Sequence, residues 1–361
     1  MTGTTDTDPD TVAMLRDAMQ RYAAEQYGFG QRRAFLEAGL SERAWRDYAD
    51  FGWLALRLPE DDGGIGADAA ATGAMMEVVG GWLLMEPVLA SAVVGTGLVL
   101  AGANAAQRAA LLPALSDGTL RLAVACDDTP SPGRACTLKG DRLHGAQVNV
   151  LHGDVADRLV VSATDADGAA ALCLVDPSEA GVERRPYRLV DGRGAASLLF
   201  EGARVERLAE GDAASAVALA RDEAAVALCA EAVGVVRRLI NTTCDYLKVR
   251  KQFGRTIGSN QVLQHRMVEM FLLQQEMQAL TRAAQRDLGA EPARRARSVS
   301  GARAYVATAA RRVANEAVQM HGGLGVTEEL DISHCFRRVM VINALFGGRD
   351  EHFNRFVEAM A

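Results

Sequence analysis

Residues 246–270, YLKVRKQFGRTIGSNQVLQHRMVEM, decide how this chain is read. The stretch joins two long amphipathic runs, 213–249 and 259–288, and a third follows over 292–320. In the second run Val262, Leu263, Met267, Met270, Phe271 and Met277 form an apolar stripe of helical spacing, expected to pack inside a bundle. The Lys and Arg residues in KVRKQFGR, 248–255, read by themselves as a solvated helix end. Gly322 and Gly323 close the third run as C-cap glycines do.

Upstream, the texture changes twice. From about Thr119 to residue 208, short apolar or alternating runs such as LRLAVACDD, DRLVVSAT and AALCLVDP are separated by Gly, Asp and Pro about every ten residues. That is the pattern of antiparallel strands, with KGDRLHG as a hairpin tip. The first third is helical again. Ser41 is a fair N-cap ahead of Trp45, Tyr48, Phe51 and Leu54. Pro59, Gly63, Gly64 and Gly66 mark a loop. The Ala- and Met-rich run over 67–106 reads as helix with a bend near Pro87. The expected fold class is α+β, mainly α: an N-terminal helical domain over 1–118, a middle antiparallel β-domain over 119–208 and a C-terminal four-helix-type bundle over 209–361.

Composition narrows the function. The net charge of −7 repels polyanions and disfavours a role dominated by nucleic-acid phosphates, while leaving room for a local basic patch. No apolar run reaches the roughly 18–20 residues of a membrane span. The polar, acidic N-terminus carries no basic region of a signal peptide. Six cysteines without a CxxC fit reduced, buried thiols in a cytoplasm, and no metal site is expected.

Two stretches together resemble the acyl-CoA dehydrogenase family. One is 246–270, with Arg-x-Gln-Phe-Gly-x-x-Ile and a Gln a few residues on. The other is 317–338, AVQMHGGLGVTEELDISHCFRR, with Gln-x-x-Gly-Gly-x-Gly. The glycine loop at 59–66 agrees, and the resemblance covers essentially the whole chain. It implies FAD as cofactor and an acyl-CoA or related thioester as substrate. Carried over by position, Arg250 pairs with the FAD pyrophosphate, a role suited to a forked, always-charged guanidinium. Gln252 lies beside it and Phe253 packs toward the adenine end. Gln319, Gly322 and Gly323 contact the dinucleotide, where glycines let backbone approach phosphate. In the family these groups reach FAD held mainly by a neighbouring subunit, which implies an oligomer.

The chain also departs from the family. Its Thr-Glu-x-x-x-Gly-Ser segment corresponds here to ACDDTPSPGRAC, 125–136. Its Trp-Ile-Thr-Asn-Gly strand, which contacts the flavin ring, corresponds to NVLHG, 149–153, so Asn149 replaces Trp and Leu151 replaces Thr. The usual catalytic glutamate falls on Phe346, ahead of Gly347. The position some members use instead falls on Ala224. Neither can take a proton. Glu231 lies about two turns along from Ala224 on nearly the same face, Glu223 is adjacent but about 100° around the helix, and Asp350 and Glu351 sit one turn past Phe346.

Dehydrogenation needs a carboxylate within reach of the α-carbon. Three active readings therefore follow. The chain resembles the small subunits of heteromeric bacterial acyl-CoA dehydrogenases, heterotetramers in which a second, unlike subunit would carry the base and electrons leave to electron-transfer flavoprotein or a similar acceptor. It is alternatively a homo-oligomeric dehydrogenase with a relocated base at Glu231, Glu223 or Asp350. The third reading is a flavin monooxygenase-like enzyme on the same fold, with His321 as the nearest candidate on the oxygen side. A non-catalytic scaffold is the remaining alternative. The Ala- and Gly-rich helices at 67–106 leave room for a bulky acyl group, such as a steroid side chain or a dicarboxylate, which points to lipid or steroid metabolism.

Overall fold

The structure, a computed structural model, describes residues 7–126, 135–209 and 211–360. Most of the segment 125–136 singled out above lies outside the described residues. The chain forms two compact units.

Of the described residues, the first unit takes those within 35–68 and 85–224. Its centre is a sheet of β1 (Leu122–Ala125), β2 (Thr137–Lys139), β3 (Arg142–Leu151), β4 (Arg158–Thr164), β5 (Ala170–Val175), β6 (Val182–Arg188), β7 (Gly194–Arg204) and β8 (Glu206–Arg207). The path runs β6-β7-β3-β2-β4-β5-β8, with β1 against β4. The hairpin tip is where the sequence puts it, with Lys139 opposite Arg142. The expectation of a wholly antiparallel sheet is corrected: β1 and β2 both run parallel to β4. Parallel pairing requires a crossover connection, and the short-period texture of the sequence carries no signal for strand direction. Alternate residues such as Leu159, Val161, Leu198 and Phe200 fill one apolar cluster. The edge strand β6, VERRPYR, is largely exposed; its charges and Pro186 are tolerated because an edge needs fewer ladder partners.

The second unit takes residues 7–34, 69–84 and 225–361. It holds α1 (Pro9–Gln26) and most of α2 (Phe29–Ala38). Helices α3 (Glu42–Asp50), α5 (Thr96–Gly102) and α6 (Ala105–Ser116) belong to the first unit, and α4 (Ala69–Trp82) to the second. Four more helices complete the bundle: α7 (Ala213–Val249), which begins in the first unit, α8 (Gln261–Arg286), α9 (Pro292–His321) and α10 (Asp331–Ile342). The last helix is α11 (Arg349–Glu358).

Ser41 caps α3, its Oγ accepting from Ala44 N at 3.1 Å. Trp45, Tyr48 and Leu54 are buried as expected, while Phe51 is exposed. The run over 67–106 is not one bent helix. It breaks after Trp82 at Leu83, where φ is +55°, and resumes past Pro87 as a wholly buried π-helical segment, Val88–Gly95. Proline removes a donor and clashes with the preceding turn, so the chain restarts rather than bends. In α8 the apolar stripe is only half used. Met270 and Met277 are buried with Gln274 and Thr281, whereas Val262 and Phe271 are exposed.

The crossing of α4 and α7 in the second unit is made by glycines. A Cβ on Gly80 would lie 2.0 Å from Glu231 O, and one on Gly234 would lie 2.0 Å from Glu77 O. Only hydrogen at these positions lets two helix backbones touch.

Candidate functional site

The two sequence motifs meet in the second unit. Tyr246, on the last turn of α7, stacks on His321, the last residue of α9, with ring centroids 4.3 Å apart. His321 is buried, and its Nδ1 lies 2.8 Å from the carbonyl of Ala317. A carbonyl can only accept, so Nδ1 carries the proton and the ring is fixed in place. His321 thus joins the two helix ends, while its buried Nε2 has no hydrogen-bond partner among the described residues.

Around this junction the side chains face outward. Arg250 follows α7, its carbonyl accepting from Ile257 N at 2.8 Å. Its guanidinium is exposed and makes no hydrogen bond or ion pair among the described residues. The hairpin β9 (Lys251–Gln252) and β10 (Arg255–Thr256) turns through Phe253 and Gly254, both left-handed at φ +52° and +80°. Two positive φ values suit the twist of a two-residue hairpin, but a phenylalanine there is unusual. Phe253 is 100% exposed. Gln252 spends its amide on Lys251 O. Gln319 is exposed, and its carbonyl caps α9 by accepting from Gly322 N. At Gly323 an added Cβ would meet nothing within 4 Å, whereas Gly322, at φ +60° and ψ −138°, is held to glycine by its backbone conformation. This surface presents a fully exposed aromatic ring beside a guanidinium that is unpaired among the described residues.

The carboxylates near the base positions are differently placed. Glu231 is 0% exposed, and Arg338 grips it with two bonds, Nε to Oε1 and Nη2 to Oε2, each 2.7 Å. Glu223 is held by Arg57 in the same two-pronged way, at 2.6 and 3.0 Å, while Arg57 also donates to Val93 O. Gly97 makes room for that pair, since a Cβ would come within 2.8 Å of Glu223 Oε2. Asp350 is exposed and pairs with its neighbour Arg349 at 2.7 Å. Glu351 is exposed in the first turn of α11. Ala224 is fully buried.

Phe346 sits in a tight, held turn. It is left-handed at φ +51° and Gly347 follows at +89°. His352 Nε2 donates to Phe346 O at 2.9 Å, and Nδ1 lies 3.2 Å from Ser300 Oγ on α9. The buried Arg303 donates to the carbonyls of Ile342 and Leu345, and Asn343 to Ala307 O. A bulky residue in the left-handed region persists only where its surroundings over-determine it.

In the first unit a cavity of about 380 Å³ lies between the sheet and the first turns of α7. Cys136, Gln147, Ser162, Thr164 and Arg221 give it a polar lining. None of these was visible as a site in the sequence. Nor were Arg57, Arg338 and His352, which act across 166, 107 and 52 residues and leave no local spacing to find. Among the described residues there is no cluster able to hold a metal, and no helix long and apolar enough to cross a membrane.

Comparison with known proteins agrees with this organisation. The acyl-CoA dehydrogenase C-terminal domain model matches residues 214–360 and the N-terminal domain model residues 9–119. The acyl-CoA dehydrogenase IpdE2 of Mycobacterium tuberculosis is 28% identical over 344 residues, covering 92% of each chain. A solved structure described as a Tcur3481-Tcur3483 steroid ACAD variant superposes with TM-score 0.89 at 26% identity, over 97% of this chain and 98% of that one. The ChsE4-ChsE5 complex of M. tuberculosis shares the fold, with TM-score 0.90 at 24% identity over 99% and 98%. The chain is a member of the acyl-CoA dehydrogenase family of oxidoreductases.

Proposed function

We propose that this chain is the base-lacking subunit of a heteromeric, FAD-dependent acyl-CoA dehydrogenase, a heterotetramer that removes an α-proton and a β-hydride from a bulky acyl thioester. The observation that carries this reading is the state of the carboxylates. The family spacing sets Phe346 and Ala224 at the two base positions, and Glu231 and Glu223 have both oxygens bound by arginines. A carboxylate with both oxygens gripped by a guanidinium is not free to reach a substrate carbon.

FAD fits the outward surface of the second unit. Arg250 would hold the pyrophosphate, Phe253 and Gln252 would lie at the adenine side, and Gln319, Gly322 and Gly323 would give backbone close approach. When bound, the flavin supplies the hydride acceptor. The residues of this chain bind and orient it there, for a site whose base lies on the second subunit. The polar cavity beside Arg221 suits the amide-bearing arm of a thioester. The steroid ACAD relationship at 26% identity supports a steroid-like acyl group. Electrons would leave to electron-transfer flavoprotein or a similar acceptor, and the six free thiols fit the cytoplasm.

The test is to purify the chain alone and with candidate acyl-CoA dehydrogenase partners, measuring native mass, bound flavin and acyl-CoA oxidation together. The expected result is little flavin and no activity alone, with both gained in a mixed tetramer. A self-assembled oligomer that is full of FAD and active would overturn it and return Glu231, Glu223 and Asp350 to candidacy.

A further inference from the structure

We infer that Tyr246 and His321 are positioning residues. Their stacked rings fix the loop of Arg250 against the turn of Gly322 and Gly323, so that the two present one preformed surface to the dinucleotide. This rests on the FAD reading above.

Each of these loops is sealed onto the helix it leaves. After α7 the chain turns through β9 and β10 and comes back at the 3₁₀ turn Ile257–Ser259. Arg250 N donates to Tyr246 O at 2.9 Å, and Ile257 N donates to Arg250 O at 2.8 Å. Gly258 lets the returning chain touch α7, since an added Cβ would stand 2.8 Å from Leu247 O. After α9 the 3₁₀ turn Gly322–Val326 does the same. Gly322 N donates to Gln319 O. A Cβ on the buried Gly325 would stand 2.6 Å from Val318 O and 3.1 Å from His321 Cβ. Backbone packed on backbone leaves neither loop free to shift without its helix end.

The two helix ends meet in one stack. Tyr246 is half-buried and His321 is buried, with ring centroids 4.3 Å apart and planes 25° from parallel. One hydrogen bond, from Nδ1 to Ala317 O, ties the imidazole to its own helix. Among the described residues Nε2 has no hydrogen-bond partner, and neither has the buried Oγ1 of Thr243, one turn before Tyr246. The tyrosine face is therefore what α7 offers the ring. An aromatic pair of this kind is worth about 2- to 10-fold in an equilibrium constant. Arg250 lies one turn after Tyr246, and Gly322 directly follows His321, so the stack sets the spacing between guanidinium and glycine turn. Loops held at that spacing beforehand do not have to be ordered when the dinucleotide arrives.

The experiment uses the mixed tetramer, with FAD affinity measured by titration and amide hydrogen exchange followed in the flavin-free form. Tyr246→Ala removes one face of the stack and leaves the backbone bonds in place. It should weaken FAD binding about 2- to 10-fold and speed exchange at Gly322, across the stack, by a similar factor. Exchange in the middle of α8 should stay slow. His321→Ala should speed exchange at Ile257 in return. Tyr246→Phe, which keeps the ring, should hold both readouts at the wild-type level. The double variant Y246A/H321A should lose no more affinity than the worse single change. Unchanged exchange at Gly322 in Y246A, acceleration spread evenly through the bundle, or losses that multiply in the double variant would each overturn the inference and leave the FAD reading standing. A wild-type tetramer that binds no flavin would overturn that reading and the inference with it.

Discussion

Arg338 holds Glu231 by two parallel 2.7 Å bonds in a place where neither side chain reaches solvent. Removing one partner of such a pair strands the other charge, so Glu231→Gln should cost about 3–5 kcal/mol of stability. A solvent-facing catalytic base would behave oppositely, losing turnover with little loss of stability. Urea unfolding of the variant separates the two. A midpoint equal to wild type would restore Glu231 as a base candidate.

The glycine crossing of α4 and α7 gives a second prediction. At Gly234 an added methyl would stand 2.0 Å from Glu77 O and 2.9 Å from Gly81 N, both backbone atoms that cannot rotate away. Gly234→Ala should therefore destabilise by roughly 1–3 kcal/mol or more, despite the better helix propensity of alanine. Gly289, where an added Cβ would meet nothing within 4 Å, is the control and should tolerate alanine within about 1 kcal/mol. Thermal melts of both variants check the contrast.

These relationships mark where the sequence was legible. Long runs of one period gave α7, α8 and α9 nearly to the residue, and Ser41 gave the start of α3, because helix signals are local. The motifs around Arg250 and Gln319 were likewise visible as contiguous strings. The strand directions around β4 were not, since pairing partners far apart in the chain decide them. The break at Leu83 and the π-helical segment came from packing that propensity does not encode. The ties on Glu231 and Glu223 were invisible for the same reason: Arg338 and Arg57 carry no mark in the sequence that points to them. Sequence spacing alone does not show that a distant arginine holds both oxygens of an acidic residue.

His334 predicts a pH dependence. It is almost wholly buried, edge-on to Phe29 at 5.1 Å, with Arg32 Nη1 at 3.3 Å from Nδ1 and Glu328 Oε2 at 3.0 Å from Nε2. Burial, then Arg32 and Arg337, push its pKa down from 6.5 to about 4, against the pull of Glu328 and Asp331. The folded protein keeps this ring neutral where the unfolded chain protonates it. Stability from this group is therefore intact above pH 6.5, falls as pH drops toward 4, and is fully lost below that. The loss should be on the order of 2–3 kcal/mol. His334→Gln should flatten the slope between those limits in urea titrations, and an unchanged slope would refute the assignment.

The turn at Phe346 should open when its latch is cut. His352 is the residue that ties the left-handed Phe346 carbonyl to Ser300. His352→Ala removes the bond that opposes relaxation of the strained backbone, and should cost about 1–3 kcal/mol. Amide exchange over 343–348 should accelerate while exchange in the middle of α9 stays slow. Uniform acceleration throughout the bundle would mean that His352 is ordinary core and not a local latch.

Arg250 makes the sharpest test of cofactor contact, because its side chain makes no hydrogen bond or ion pair among the described residues. The guanidinium is exposed and unpaired among the described residues, so Arg250→Ala should leave folding unaltered. In the mixed tetramer it should remove a charge-assisted contact worth roughly 1.5–3 kcal/mol, a loss of about 10- to 100-fold in FAD affinity. Arg250→Lys keeps the charge without the fork and should fall between the two. The measurement is flavin retained after dialysis of the assembled enzyme, beside a thermal melt of the isolated chain. Lower flavin with an unmoved melt places Arg250 on the cofactor. Full flavin retention in R250A would leave the cluster at 248–255 as a solvated helix end.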